Sequence, residues 1–155
     1  LAAEAGFGVT VYDDRSDMLD DSRLDPGIAR ACGDYEQTVA DAVFGDVAFI
    51  IVVTRGHHDD ERVLRTLAGQ GTRPRFLGMI GSDSKRKVLL GRLAAEGVPQ
   101  AWLDAVVSPV GLPIGARTAP EIAVSIVAQL IQECRRVLPD HRREPSAAVP
   151  QPDAP

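Results

Sequence analysis

The feature that most narrows what this chain can fold into is the run Val47-Ala-Phe-Ile-Ile-Val-Val53. It is continuously apolar and rich in β-branched residues, so it predicts a strand covered on both faces, the environment of a parallel sheet. A turn at Thr54-Arg55-Gly56 follows it. Asp59 to Ala68 then carries apolar positions at Val63, Leu64, Leu67 and Ala68, acidic residues in its first turn and Gly69 behind it. That is an amphipathic helix with start and stop signals. The sequence repeats the alternation. Arg75 to Ile80 reads as a second buried strand, and Ser84 to Glu96 as a helix with Leu89, Leu90, Leu93 and Ala94 inward and Gly97 as its stop. Strands alternating with helices predict an α/β fold, a doubly wound parallel sheet with helices on both faces.

The remaining segments extend this pattern. Val9 to Tyr12 predicts a strand closed by Asp13-Asp14-Arg15, residues 16 to 27 a loop or short helix, Ile28 to Cys32 a short edge strand, and Thr38 to Phe44 a helical turn. Pro99 to Val106 predicts a short helix carrying Trp102, followed by a brief strand at Val106 to Ser108. Ile122, Ile126, Leu130 and Cys134 recur every four residues, so a long helix is expected to bury Ile122, Ile126 and Leu130 against the sheet. Leu1 to Ala5 reads as the last turn of a helix ending at Gly6, and the chain is expected to start inside an element. A doubly wound sheet lacking its first strand and glycine turn is therefore expected, with a missing or borrowed strand between Val9–Tyr12 and Val47–Val53. Residues 1–138 make the domain; from Pro139 the proline-rich segment 139–155 is expected to be a disordered tail.

Composition removes several classes of function. A net charge of −5 argues against broad binding to nucleic acid or anionic membrane. No apolar run reaches the roughly 18 residues of a spanning helix, and no signal-peptide pattern opens the chain. Cys32 and Cys134 have no metal or redox spacing, so a cytoplasmic protein with reduced thiols acting as core filler is expected.

In an open parallel sheet, ligands bind beyond the carboxyl ends of the strands, and candidate groups cluster at such ends. Asp13 is placed to accept ribose hydroxyls, a role that needs an ionised, acceptor-only side chain. Thr54, Gly56 and His57 belong to a strand-to-helix turn; His57 and His58 lack the further ligands a zinc site needs. Gly81 and Ser82 precede Lys85-Arg86-Lys87 in the first turn of a helix. Cations there oppose the helix dipole unless an anion binds nearby. The segment Ser108 to Ile126 holds Gly111, Gly115, Arg117 and Thr118. Its glycines permit turns closed to other residues. Thr118 and Glu121 form a capping box, and Arg117 adds a fork of donors beside a helix N-terminus able to hold an anion. All these groups follow parallel strands, so they are expected to share one crevice. No Ser-His-Asp order, P-loop or Gly-x-Gly-x-x-Gly is present.

Taken together, VTVYDDR at Val9 to Arg15, FIIVVTRGHHDD at Phe49 to Asp60, FLGMIGS at Phe76 to Ser82 with SKRK following, and SPVGLPIGARTAPEIAVSIVAQLI at Ser108 to Ile131 resemble the C-terminal domain of the XdhC/CoxI family, the xanthine dehydrogenase accessory proteins. The resemblance runs from about Leu1 to Arg136. It implies a Rossmann-like domain and an accessory role rather than turnover. The protein would bind molybdenum cofactor (molybdopterin), protect it during sulfuration and help insert it into a molybdenum hydroxylase such as xanthine dehydrogenase. A cysteine desulfurase is the implied sulfur source, and a homodimer is left open. Carried over by position, the ligand-side residues are Asp13, Thr54, Gly56, His57, Gly81, Ser82, Gly111, Gly115, Arg117 and Thr118. The family's N-terminal domain is missing from this sequence, and Asp83-Ser84 before the basic run departs from the usual pattern. The alternative reading is an NAD(P)-dependent oxidoreductase or dinucleotide sensor on the same fold, favoured by Asp13.

Overall fold

A computed structural model describes residues 1–136. The expected tail at 139–155 lies outside the described residues. Residues 2–6 form a turn, with Gly6 at φ 89°, and no helix is formed there. The strands are β1 (Thr10–Asp13), β2 (Ala29–Cys32), β3 (Phe49–Val52), β4 (Phe76–Met79) and β5 (Val106–Val107). The helices are α1 (Tyr35–Asp41), α2 (His57–Gly69), α3 (Asp83–Ala95), α4 (Gln100–Asp104) and α5 (Ala119–Arg135), with a 3-10 turn at Ser16–Leu19.

Every strand pair among the described residues is parallel. β1 pairs with β2, with Thr10 opposite Ala29. β3 pairs with β4 in the register Phe49 to Phe76, and β4 with β5 in the register Leu77 to Val106. The sheet is therefore in two pieces, β1-β2 and β3-β4-β5, and among the described residues no ladder joins β1 to β3. This is the expected gap. It is a slot of about 590 Å³ whose walls include Val11 and Tyr12 on one side and Ile50 and Val52 on the other.

Strand alternation assigns the two faces. Ile50, Val52, Leu77, Met79 and Val106 pack with Val63, Leu64, Leu67, Leu89, Leu90 and Leu93 of α2 and α3. Phe49, Ile51 and Phe76 turn to the other face, against Leu130 and Ile126 of α5 and against Val110. Helices thus cover both faces, as a doubly wound sheet requires. Gly78 lies where that second layer presses closest. A Cβ there would stand 2.5 Å from Val110 Cγ2 and 2.9 Å from Phe76 Cε1.

Some expectations need correction. β4 is buried along its whole length, but the Val47–Val53 run is not: Val47 is 67% and Val53 57% exposed, and Phe49 to Ile51 are half-buried. β3 has β4 on one side only, and its free edge looks into the slot. Ile122 and Ile126 are half-buried rather than buried; Leu130 alone of the three is buried. α5 meets the sheet through Leu130, with Ile126 packed beside it only in part. Cys32 is exposed at the end of β2 and Cys134 is half-buried, so neither fills the core. α1 begins at Tyr35, because Asp34 caps it by accepting from the N–H groups of Glu36 and Gln37.

Candidate functional site

The five strands end at the carboxyl edge in five loops, and side-chain bonds tie those after β1, β3 and β4 together. After β1, Asp13 accepts from Arg15 at three points: the backbone N–H at 3.0 Å, Nε at 2.9 Å and a terminal guanidinium nitrogen at 3.0 Å. The Arg15 guanidinium holds the Asp13 carboxyl below its ordinary range. Both acceptor oxygens that a ribose would need are therefore already engaged. Asp14 accepts from Tyr35 Oη at 3.2 Å and from the Arg55 guanidinium, which joins the β1 loop to the β3 loop.

After β3, Thr54 donates through its hydroxyl to Asp60 Oδ1 at 2.6 Å and through its backbone N–H to the same oxygen at 3.3 Å. Asp60 is fully buried, and its other oxygen faces the Lys85 ammonium as its only partner. Lys85 also donates to the carbonyl of Ile80 at 3.2 Å. This cluster links the β3 loop, α2, the β4 loop and α3. It also answers the expectation about the basic run. Lys85 folds back over Gly81, and Arg86 Nε donates to the Val106 carbonyl at 3.3 Å. Internal acceptors thus occupy two of the cations read as facing an anion. A Cβ on Gly81 would lie 2.5 Å from Lys85 Cδ, so the small residue lets the lysine stem pass. Sequence reasoning did not see this role for Asp60. The available signal was an acid placed where its side chain can reach back across a helix start to Thr54.

The helix starts differ in a way that bears on ligands. Asp34 caps α1, Ser82 caps α3 through the Lys85 N–H, and Thr118 caps α5. At α5 the box is complete: Glu121 accepts from the N–H groups of Arg117 at 2.7 Å and Thr118 at 3.0 Å. These two donors hold the Glu121 carboxyl below its ordinary range. α2, unlike these three, begins without a side-chain cap, at Gly56. A Cβ on Gly56 would meet nothing within 4 Å, so the space before the α2 N–H groups is open. His57 and His58 lie exposed in that first turn. Among the described residues no group of three or more His, Cys, Asp or Glu could hold a metal ion.

The sequence-predicted residues fall into separate groups. Asp13 and Thr54 line the slot between β1 and β3. His57 and Ser82 line a cleft of about 330 Å³ between α2 and α3, which Lys85 also borders. Gly56 and Gly81 are the chain neighbours of His57 and Ser82 and line neither cavity. Gly111 is held at φ 110°; its N–H donates to Gln129 Oε1 at 2.6 Å, and Leu112 N–H donates to the Ser125 carbonyl at 3.1 Å. These bonds fasten the β5 loop onto α5. Gly115, Arg117 and Thr118 lie farther along it and line neither cavity.

Comparison with known proteins matches this geometry to a family. The profile described as the XdhC Rossmann domain matches residues 1–130. A Bacillus subtilis (strain 168) protein described as a probable subunit of xanthine dehydrogenase is 32% identical over 137 residues, covering 88% of this chain and 39% of that protein. An Escherichia coli (strain K12) protein, "Uncharacterized protein YqeB", is 28% identical over 84% of this chain and 24% of its own length. A crystal structure described as a xanthine dehydrogenase from Bacillus halodurans superposes with a TM-score of 0.74 at 27% identity, covering 86% of this chain and 39% of that one. The chain thus spans well under half of these relatives. By its sequence match, its parallel sheet and the loops at its carboxyl edge, the chain belongs to the XdhC family, through that family's Rossmann domain.

Proposed function

We propose that this domain is the cofactor-handling part of a xanthine dehydrogenase accessory protein. It receives molybdenum cofactor at the carboxyl edge of its sheet, holds it during sulfuration by a cysteine desulfurase, and presents it to a molybdenum hydroxylase. The observation that carries the reading is the uncapped start of α2. The N–H groups of His57, His58 and Asp59 point out of the helix with no side-chain acceptor, at its positive end, behind a glycine that leaves room. The charge of Asp59, which would oppose an anion there, is set against Arg62 at 3.5 Å. Arg55 stands one residue before Gly56, with its guanidinium held by Asp14.

These groups fit the anionic part of the cofactor. Bound, the cofactor would supply a molybdenum–dithiolene centre and a phosphate. The chain would bind the phosphate at the α2 N–H groups and keep the loops in register through the Thr54, Asp60 and Lys85 cluster. The dinucleotide reading has less support, because Arg15 already occupies Asp13.

The test is Gly56→Asp, which places an acceptor over the open N–H groups and a charge where the anion would sit. Helix stability should change by only a few tenths of a kcal/mol, since Gly and Asp are both accepted at an N-cap. Molybdopterin retained through gel filtration, read as oxidised pterin fluorescence together with molybdenum content, should fall about tenfold or more, as expected for losing hydrogen bonds to a charged group. Equal retention by Gly56→Asp and the parent, or no retention by the parent, would refute the reading.

A further inference from the structure

The amino-terminal edge of the sheet, opposite the loops described above, carries a separate cavity of about 510 Å³. That volume is within the range of small-molecule sites. Its walls are mostly carbon, with Trp102 of α4 and Phe76 at the start of β4 among them. Trp102 is fixed in place: its indole N–H donates to the Thr72 carbonyl at 2.9 Å. Its one polar atom is spent, so it offers the cavity ring carbon alone.

Three arginines border this apolar surface: Arg73, Arg75 and, at the end of α5, Arg136. Arg136 is paired with Glu133 at 2.9 Å. Arg73 and Arg75 take no ion pair among the described residues, and one terminal nitrogen of Arg75 is buried with no acceptor. A guanidinium recognises a planar oxyanion through paired N–H groups, and beside the cavity Arg73 is exposed and Arg75 half-buried. The chain carries a net charge of −5, so a local excess of arginine beside an aromatic wall is a feature of this edge and not of the molecule at large.

We propose that this cavity binds a small organic anion with a flat apolar body. The anionic head pairs with Arg75 and Arg73, and the body lies on Trp102. The site is independent of the carboxyl-edge reading, at the other end of the strands.

Trp102 is the only tryptophan in the chain, so its emission reports on the cavity directly. Benzoate and its neutral isostere benzamide, titrated separately into the full chain, serve as probes, with calorimetry alongside. Benzoate should shift Trp102 emission to saturation, and benzamide should bind at least about tenfold more weakly, because it cannot pair with a guanidinium as an anion does. Arg75→Gln should weaken benzoate about tenfold and leave benzamide unchanged. Arg73→Gln should act in the same direction, and it carries the test if Arg75→Gln loses its circular dichroism. Equal affinity for the two probes, no saturable response to benzoate, or parental benzoate binding by the folded variants would overturn the proposal.

Discussion

Asp60 is fully buried; Lys85 faces one of its oxygens while Thr54 donates twice to the other. Removing one partner of such a pair strands the other charge in a low dielectric. Lys85→Met should therefore destabilise the fold by about 3–5 kcal/mol in urea melts. A loss below ~0.5 kcal/mol, the surface range, would show that water screens the pair. The residues were visible in the sequence but their pairing was not. Three adjacent cations at a helix start read as a face awaiting an anion. Only the absence of a side chain at Gly81 lets Lys85 turn back toward Asp60. The capping box at Thr118 and Glu121, by contrast, was fully legible, because every group in it lies within four residues. It carries a pH dependence. The carboxyl of Glu121 is held below its ordinary range by the Arg117 and Thr118 N–H groups. Its contribution is present above the unfolded-state pKa and is lost as pH falls through the lower folded value. Glu121→Ala should thus be less stable than the parent at neutral pH, with the difference closing in acid. Denaturant midpoints of both proteins, compared at several pH values, check this; a difference that persists undiminished in acid would contradict it.

At the scale of elements, periodicity identified α2, α3 and α5 and the strand character of β3 and β4, because each is long or apolar enough to show its pattern. It misjudged how much cover each receives. A run of apolar residues records what a strand tolerates and not whether a neighbour is there, so the sequence of β3 reads as enclosed although one edge is open. The sequence pattern puts the start of α1 too late because its first turn depends on the Asp34 side chain and on Tyr35 reaching Asp14, neither of which repeats along the sequence. α5 gives a measurable gradient along one stripe. Leu130 is buried with Phe76 and Val110, while Ile126 is half-buried at the same contact. Leu130→Ala should cost about 2–5 kcal/mol and Ile126→Ala clearly less. Equal losses in denaturant melts would mean that α5 seats more deeply than described.

At the scale of the whole molecule, ion pairs stitch the helix layer across the division in the sheet. Arg62 of α2 reaches Asp34 and Glu36 at α1, and Arg65 reaches Glu96 at the end of α3. The strands beneath have no such join among the described residues, so β1-β2 is held mainly through α1 and the Asp14–Arg55 contact. Amides of Phe76 to Met79 should exchange with solvent only on global opening, and those of Thr10 to Asp13 far sooner. Equal protection in native-state hydrogen exchange would mean that the two pieces open as one unit. The single-crevice expectation arose at this scale too. Strand direction places the loops on one side of the sheet, but how far apart they stand depends on whether the slot is spanned. The slot also governs how copies of the domain behave together. The backbone edges of β1 and β3 are templates for pairing with another chain, and what opposes such pairing at neutral pH is the mutual repulsion of molecules carrying a net charge of −5. With a sequence isoelectric point near 5.1, that repulsion vanishes in mild acid. The isolated domain should therefore be least soluble there, with light scattering rising near that pH and thioflavin-positive, edge-paired aggregates as the product, while the same protein at neutral pH stays dispersed.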